Sequence, residues 1–101
     1  MKLILTPGAK QDLRKAASWY EGERVGLGNE LRDELEVFLS LIQAHPEMFA
    51  PVHSRVRRAP LRRFPYSLFY TSRGGTIHVL AILHNARDPE LWKRRYEARR
   101  S

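Results

Sequence analysis

The feature that most constrains this chain is a change of hydrophobic period near its middle. Up to His45-Pro46 the apolar residues recur every three or four positions; after Pro51 they fall into short strand-like runs. In the first half, Thr6-Pro7 supplies an N-cap followed by proline at the first helical position. Ala9, Leu13, Ala16, Ala17 and Tyr20 then share one face, with Lys10, Asp12, Arg14 and Lys15 between them. Gly22 and Gly26 bracket a break. A second stripe follows, formed by Leu27, Leu31, Leu35, Phe38, Leu39 and Ile42, while Asn29, Glu30, Arg32, Asp33, Glu34 and Glu36 take most of the opposite face. Two amphipathic helices joined by so short a glycine-containing link are expected to fold back as a helical hairpin.

The second half reads as strands. Val56 to Phe64 is expected to be a strand that is bulged or lies at an edge, because Pro60 has no N–H to give to a ladder. Tyr66 to Thr71 is the next strand, Arg73-Gly74-Gly75 a turn, and Thr76 to Leu83 a central strand apolar on both faces. Asp88-Pro89 repeats the N-cap and first-position signal and opens a short helix to about Tyr96, with residues 97–101 expected to fray. A short strand at Lys2 to Leu5 precedes everything. The expected fold is therefore α+β: N-terminal strand, helical hairpin, three-stranded antiparallel meander and short C-terminal helix, with helices packed on one face of a small sheet. Its 101 residues make a single domain, 1–101.

Charge is distributed as unevenly as hydrophobicity. The formal net charge is +7, yet residues 1–50 hold six basic and eight acidic side chains and residues 51–101 hold twelve and three. Such asymmetry suits an acidic partner, either nucleic acid or protein, or else a solubilising surface. The chain has no cysteine, which excludes a disulfide scaffold and thiolate zinc sites. Only three consecutive apolar residues precede the Thr-Pro break near the start, too few for a signal peptide or membrane span, so a cytoplasmic location is expected.

Few catalytic arrangements survive inspection. His45, His53, His78 and His84 form no helical ligand pair, and His78 and His84, on one strand face by simple alternation, are six residues apart. No serine lies in a nucleophile elbow, and Gly22, Gly26 and Gly28 fit no phosphate-binding loop; they read as glycines that let two helices turn. No metal or cofactor is expected. What remains is arginine: Arg55, Arg57, Arg58, Arg62 and Arg63 crowd one strand and its ends, and His84, Arg87, Lys93, Arg94 and Arg95 follow at the end of the last strand and on the terminal helix. Guanidinium groups bind phosphate or carboxylate in bidentate fashion. Alternation sends Arg57 and Arg58 to opposite faces. Against a binding role stands the reading in which Arg58 and Arg63 simply pair with glutamates of the second helix. Tyr66 and Tyr70 share a face opposite Phe69; core packing is expected of them, and anchoring of the last helix of Trp92.

These segments resemble a known family. Val56 to Tyr70 (VRRAPLRRFPYSLFY) is similar to the sheet segment of the RelE/ParE toxins, and Val79 to Arg95 (VLAILHNARDPELWKRR) resembles the end of the ParE-like branch. Within them, Arg62 to Tyr66, His84, Arg87-Asp88-Pro89 and Trp92 are the most specific residues; the resemblance spans about residues 3–95. It implies a bacterial toxin of a type II toxin–antitoxin system, of the kind tied to plasmid stabilisation. Its partner would be a cognate antitoxin whose acidic tail folds across it.

RelE-like members cleave mRNA on the ribosome without a metal, whereas ParE-like members inhibit DNA gyrase. The nuclease branch commonly carries arginine where this chain has Ser67, and a tyrosine near Leu91-Trp92, where this chain has no side chain able to transfer a proton. The resemblance thus implies a non-enzymatic gyrase inhibitor with target- or antitoxin-binding residues Arg57, Arg58, Arg62, Arg63, His84, Arg87 and Arg94. The alternatives are a ribosome-dependent endoribonuclease using His84, Arg87, Arg62 and Arg63, or a basic adaptor without toxicity.

Overall fold

In the computed structural model, residues 1–87 and 89–100 are described, with the side chain of Arg100 left aside. Strand β1 (Lys2–Leu5) leads straight into helix α1 (Pro7–Glu23). The Thr6 hydroxyl accepts the Ala9 N–H at 3.2 Å, the capping bond expected of a Thr-Pro start. Helix α2 (Leu27–Ala44) follows after Gly26, whose φ of 90° is left-handed, and ends at His45. Gly28 serves a different purpose from a turn: a Cβ there would lie 2.6 Å from the Ala17 carbonyl oxygen, so its bare backbone sets how closely the two helices approach.

Strands β2 (Pro51–His53), β3 (Val56–Pro60), β4 (Tyr66–Arg73) and β5 (Thr76–His84) complete a mixed sheet of order β1-β5-β4-β3-β2, with β1 parallel to β5 and the other pairs antiparallel. Gly74 and Gly75, at φ 58° and 79°, make the tight β4–β5 hairpin turn, in which a residue with a Cβ would be strained. The sequence led us to expect an edge or bulged strand running from Val56 to Phe64. The short β2 lies outside it instead, covering Val56 and Arg57, and β3 stops at Pro60, beyond the reach of β2. The missing N–H of Pro60 thus costs no ladder bond.

The hairpin packs on one face of the sheet, as expected. Leu31, Leu35, Phe38 and Ile42 of α2 and Ala9, Ala16 and Ala17 of α1 join Leu68, Tyr70, Ile77, Val79 and Ile82 in the main core. Helix α3 (Leu91–Arg100) packs on the other face, where Trp92 and Tyr96 meet Val56, Phe69, Leu80 and Ala81. Trp92 stacks on Phe69 with ring centroids 5.0 Å apart and planes at 8°, so it anchors the helix. This helix starts two residues after Pro89 and runs on through residues 97–100, where fraying was expected. The Asp88 cap and the last residue lie outside the described residues.

One irregularity decides which side chains share a face. Phe69 pairs with Ala81 but Tyr70 with Val79, leaving Leu80 as an extra residue in β5. The bulge reverses the alternation, so His78 lines the α3 side and His84 the hairpin side, not one face together. It lies where β1 leaves the sheet to become α1, and the exposed edge is sealed by side chains. The Thr6 hydroxyl and the Arg95 guanidinium donate to the Leu80 carbonyl, at 3.4 and 2.9 Å, and Asp12 accepts the Ile82 N–H at 3.0 Å. Arg95 in turn bridges to Asp12 through bonds of 2.6 and 3.1 Å, tying α1 to α3 around the edge.

Candidate functional site

The two basic segments meet at the end of the sheet where β4 begins and β5 ends. Antiparallel pairing sets Tyr66 opposite His84, and their rings lie 5.3 Å apart, edge to face. On the α3 side of this end, Arg58 donates to the Ser67 hydroxyl at 3.0 Å and to Asn85 at 3.3 Å, and Ser67 donates to Asn85 at 2.6 Å. Ser67 is completely buried. On the hairpin side a groove of about 410 Å³ opens, lined by Trp19 and Tyr20 of α1, Tyr66, His84, Arg87 and Leu91. Arg87 also borders a second groove, with Arg58, Trp92 and Lys93, on the α3 side. One exposed guanidinium is therefore shared by both faces.

The groove combines aromatic walls with cationic rims. Tyr20 meets Trp19, Phe64 and Tyr66 edge to face, at 4.9, 4.9 and 6.0 Å. Trp19 is 57% exposed, off the apolar stripe of its helix, and offers an indole to a partner. Burial pushes the Tyr20 hydroxyl above its ordinary pKa; the neighbouring Tyr66 adds to the rise and Arg87 opposes it. Tyr20 is thus a protonated phenol at neutral pH. The His84 Nδ1 faces the Ala86 N–H at 3.1 Å, which fixes the ring and leaves Nε2 as the outward nitrogen. Such a site can hold an aromatic or apolar side chain beside a carboxylate or phosphate.

The expected site residues divide into two sets. His84, Arg87 and Arg58 come together here. Arg62 lies exposed in the loop after β3, its backbone N–H held by Glu34 at 3.0 Å. Arg63 behaves as the rival reading had it: its guanidinium binds Glu30, which also holds Arg24, and Glu34 accepts its backbone N–H. Arg57 is on the hairpin side, as alternation required, but its guanidinium donates to the Phe49 and Glu47 carbonyls at 2.7 and 3.3 Å and ties down the segment between α2 and β2. Arg94 lies exposed on α3. Sequence reading missed Trp19 and Asn85. An exposed tryptophan beside the helical stripe was the available signal for the first; for the second there was none, because the Arg58–Ser67–Asn85 set exists only once three segments are in register.

Among the described residues no group of His, Asp or Glu side chains is arranged to hold a metal ion, and no helix is long and apolar enough to cross a membrane. The architecture is shared with a solved structure described as the chromosomal ParDE toxin–antitoxin system from P. aeruginosa. The match has a TM-score of 0.75 at 22% identity and covers 83% of this chain and 95% of that one. A hairpin, a mixed sheet with a parallel first strand and a C-terminal helix define a RelE/ParE-type fold. No curated protein sequence matches the chain. The model of the ParE toxin of type II toxin–antitoxin systems, parDE, matches residues 3–89, and the chain belongs to that family.

Proposed function

We propose that this protein is the toxin of a toxin–antitoxin pair, that it acts in the cytoplasm by binding and inhibiting DNA gyrase, and that a cognate antitoxin with an acidic C-terminal tail holds it inactive. The observation that carries this reading is the fate of the two positions at which a nuclease relative places reactive side chains. Ser67 is sealed in the sheet by Arg58 and Asn85, and Trp92 is stacked on Phe69. Neither transfers a proton. Tyr20, the helical tyrosine that lines the groove with His84, has its hydroxyl pushed away from the ionised form. A cleft of this kind binds better than it cleaves.

Membership of the ParE family supports the toxin and antitoxin assignments, and the aromatic groove with its Arg87 rim supplies a surface on which a protein partner can seat an apolar anchor beside a carboxylate. Induced expression in bacteria tests the reading. Growth should stop, and co-expression of a short acidic protein encoded beside the gene should restore it. Uninterrupted growth at high expression of folded protein would leave only a basic adaptor. Arrest accompanied by cleaved ribosome-bound mRNA, lost in His84→Ala and Arg87→Ala, would replace gyrase by the ribosome.

A further inference from the structure

The opposite end of the sheet carries a further cationic pocket. It has a volume of about 370 Å³ and lies between the β4–β5 turn, the β2–β3 turn and the C-terminal part of α3. Arg55, Arg73 and Arg99 converge on it with His78, and Ser54 and Tyr96 add hydroxyls; no Asp or Glu lines it. Neither Arg55 nor Arg73 has an ion pair among the described residues, in contrast to Arg63 and Arg95, which the fold neutralises with Glu30 and Asp12. Arg99 donates to His78 Nδ1 at 2.9 Å, so this imidazole serves as an acceptor and is neutral. Burial, with Arg99 and Arg73 adding to it, holds His78 below the ordinary histidine range. Ser54 has a left-handed φ of 51°, uncommon for a residue with a Cβ, and its hydroxyl lies 3.1 Å from the Tyr96 hydroxyl.

Three guanidinium groups around one hollow repel each other, and an unneutralised set of this kind is stabilised by whatever anion fills it. Arginine forks match phosphate oxygens in bidentate geometry, and hydroxyls complete such a shell. The volume is that of a small-ligand site and exceeds what one phosphate group fills. We infer that the Arg55–Arg73–Arg99 pocket binds a ligand carrying adjacent phosphate groups, either a small-molecule di- or triphosphate or a stretch of nucleic-acid backbone. The site is distinct from the groove at His84 and Arg87 and does not rest on the gyrase reading.

The test is a titration of the full chain at low ionic strength, followed by the NMR signals of the His78 ring. Pyrophosphate should shift those signals and raise the pH at which His78 titrates, because the bound anion offsets the arginine field. In Arg55→Ala/Arg73→Ala the affinity should fall at least tenfold. Both arginines are exposed and their removal relieves repulsion, so the melting temperature should not fall; Arg99→Gln provides a second variant should the double one fold poorly. A parallel arm uses a short single-stranded oligonucleotide. Binding tighter than that of pyrophosphate and steeply weakened by salt assigns the pocket to nucleic-acid backbone; weaker binding assigns it to a small phosphate ester. No response of His78 to either probe, an undiminished response in the double variant, or displacement of pyrophosphate by a glutamate-rich peptide at lower concentration would overturn the inference.

Discussion

The two faces of the sheet are stabilised by different means. On the hairpin face, α1 and α2 bury a large, continuous apolar core, closed further by the close approach at Gly28. On the other face, α3 is held by a smaller cluster around the Phe69–Trp92 stack and by the Asp12–Arg95 bridge around the sheet edge. Both ends of this helix border cationic hollows. Stability is therefore concentrated on one face, and the surfaces available to partners gather around the more lightly held helix and the sheet ends beside it.

Substitutions on the two faces should therefore have different effects. Leu35→Ala, in the hairpin core, should cost about 3 kcal/mol by urea denaturation, through lost transfer energy and a cavity. Trp92→Ala should cost a similar amount, about 3 kcal/mol, at the low end of what truncating a buried aromatic costs because the cluster on this face is small. Hydrogen exchange should then speed up in α3 while β4 and β5 stay protected; global loosening would mean that the faces are not separable. Asp12→Asn removes the charge that holds Arg95 and should cost about 1–2 kcal/mol, again with faster exchange in α3.

The smallest effect concerns pH. Hydrogen bonds from Arg63 and then Arg24 hold the Glu30 carboxyl below its ordinary range. Its stabilisation is complete above the unfolded-state value and disappears as pH falls through the folded one. Glu30→Gln should accordingly flatten the acid limb of a melting-temperature profile, with variant and parent converging at low pH.

Most of the fold was legible in the sequence because its signals are local. Thr6-Pro7, the Leu31–Leu35–Phe38–Ile42 stripe, His45-Pro46 and the Gly74-Gly75 turn each act through neighbours in the chain. What escaped depends on distant partners. The three-residue β2 has too few side chains to show a period, and the Leu80 bulge follows from where β1 leaves β5. That bulge alone moved His78 away from His84. The site was legible in part for the same reason. Charge density pointed to the arginines, but which of them are consumed by the fold (Arg57, Arg63, Arg95) and which line open grooves (Arg55, Arg73, Arg87) depends on carbonyls and carboxylates contributed by other segments.

We propose that the protein acts as a binding toxin through the groove at Trp19, Tyr66, His84 and Arg87. A DNA supercoiling assay with purified gyrase, this protein and its His84→Ala/Arg87→Ala variant tests it most directly. Both residues lie at the sheet end outside the buried core, so the variant should fold and melt like the parent. The parent should inhibit supercoiling, and the variant should need at least tenfold more protein for the same inhibition. Unimpaired supercoiling at saturating parent protein, or equal potency of the two, would contradict it.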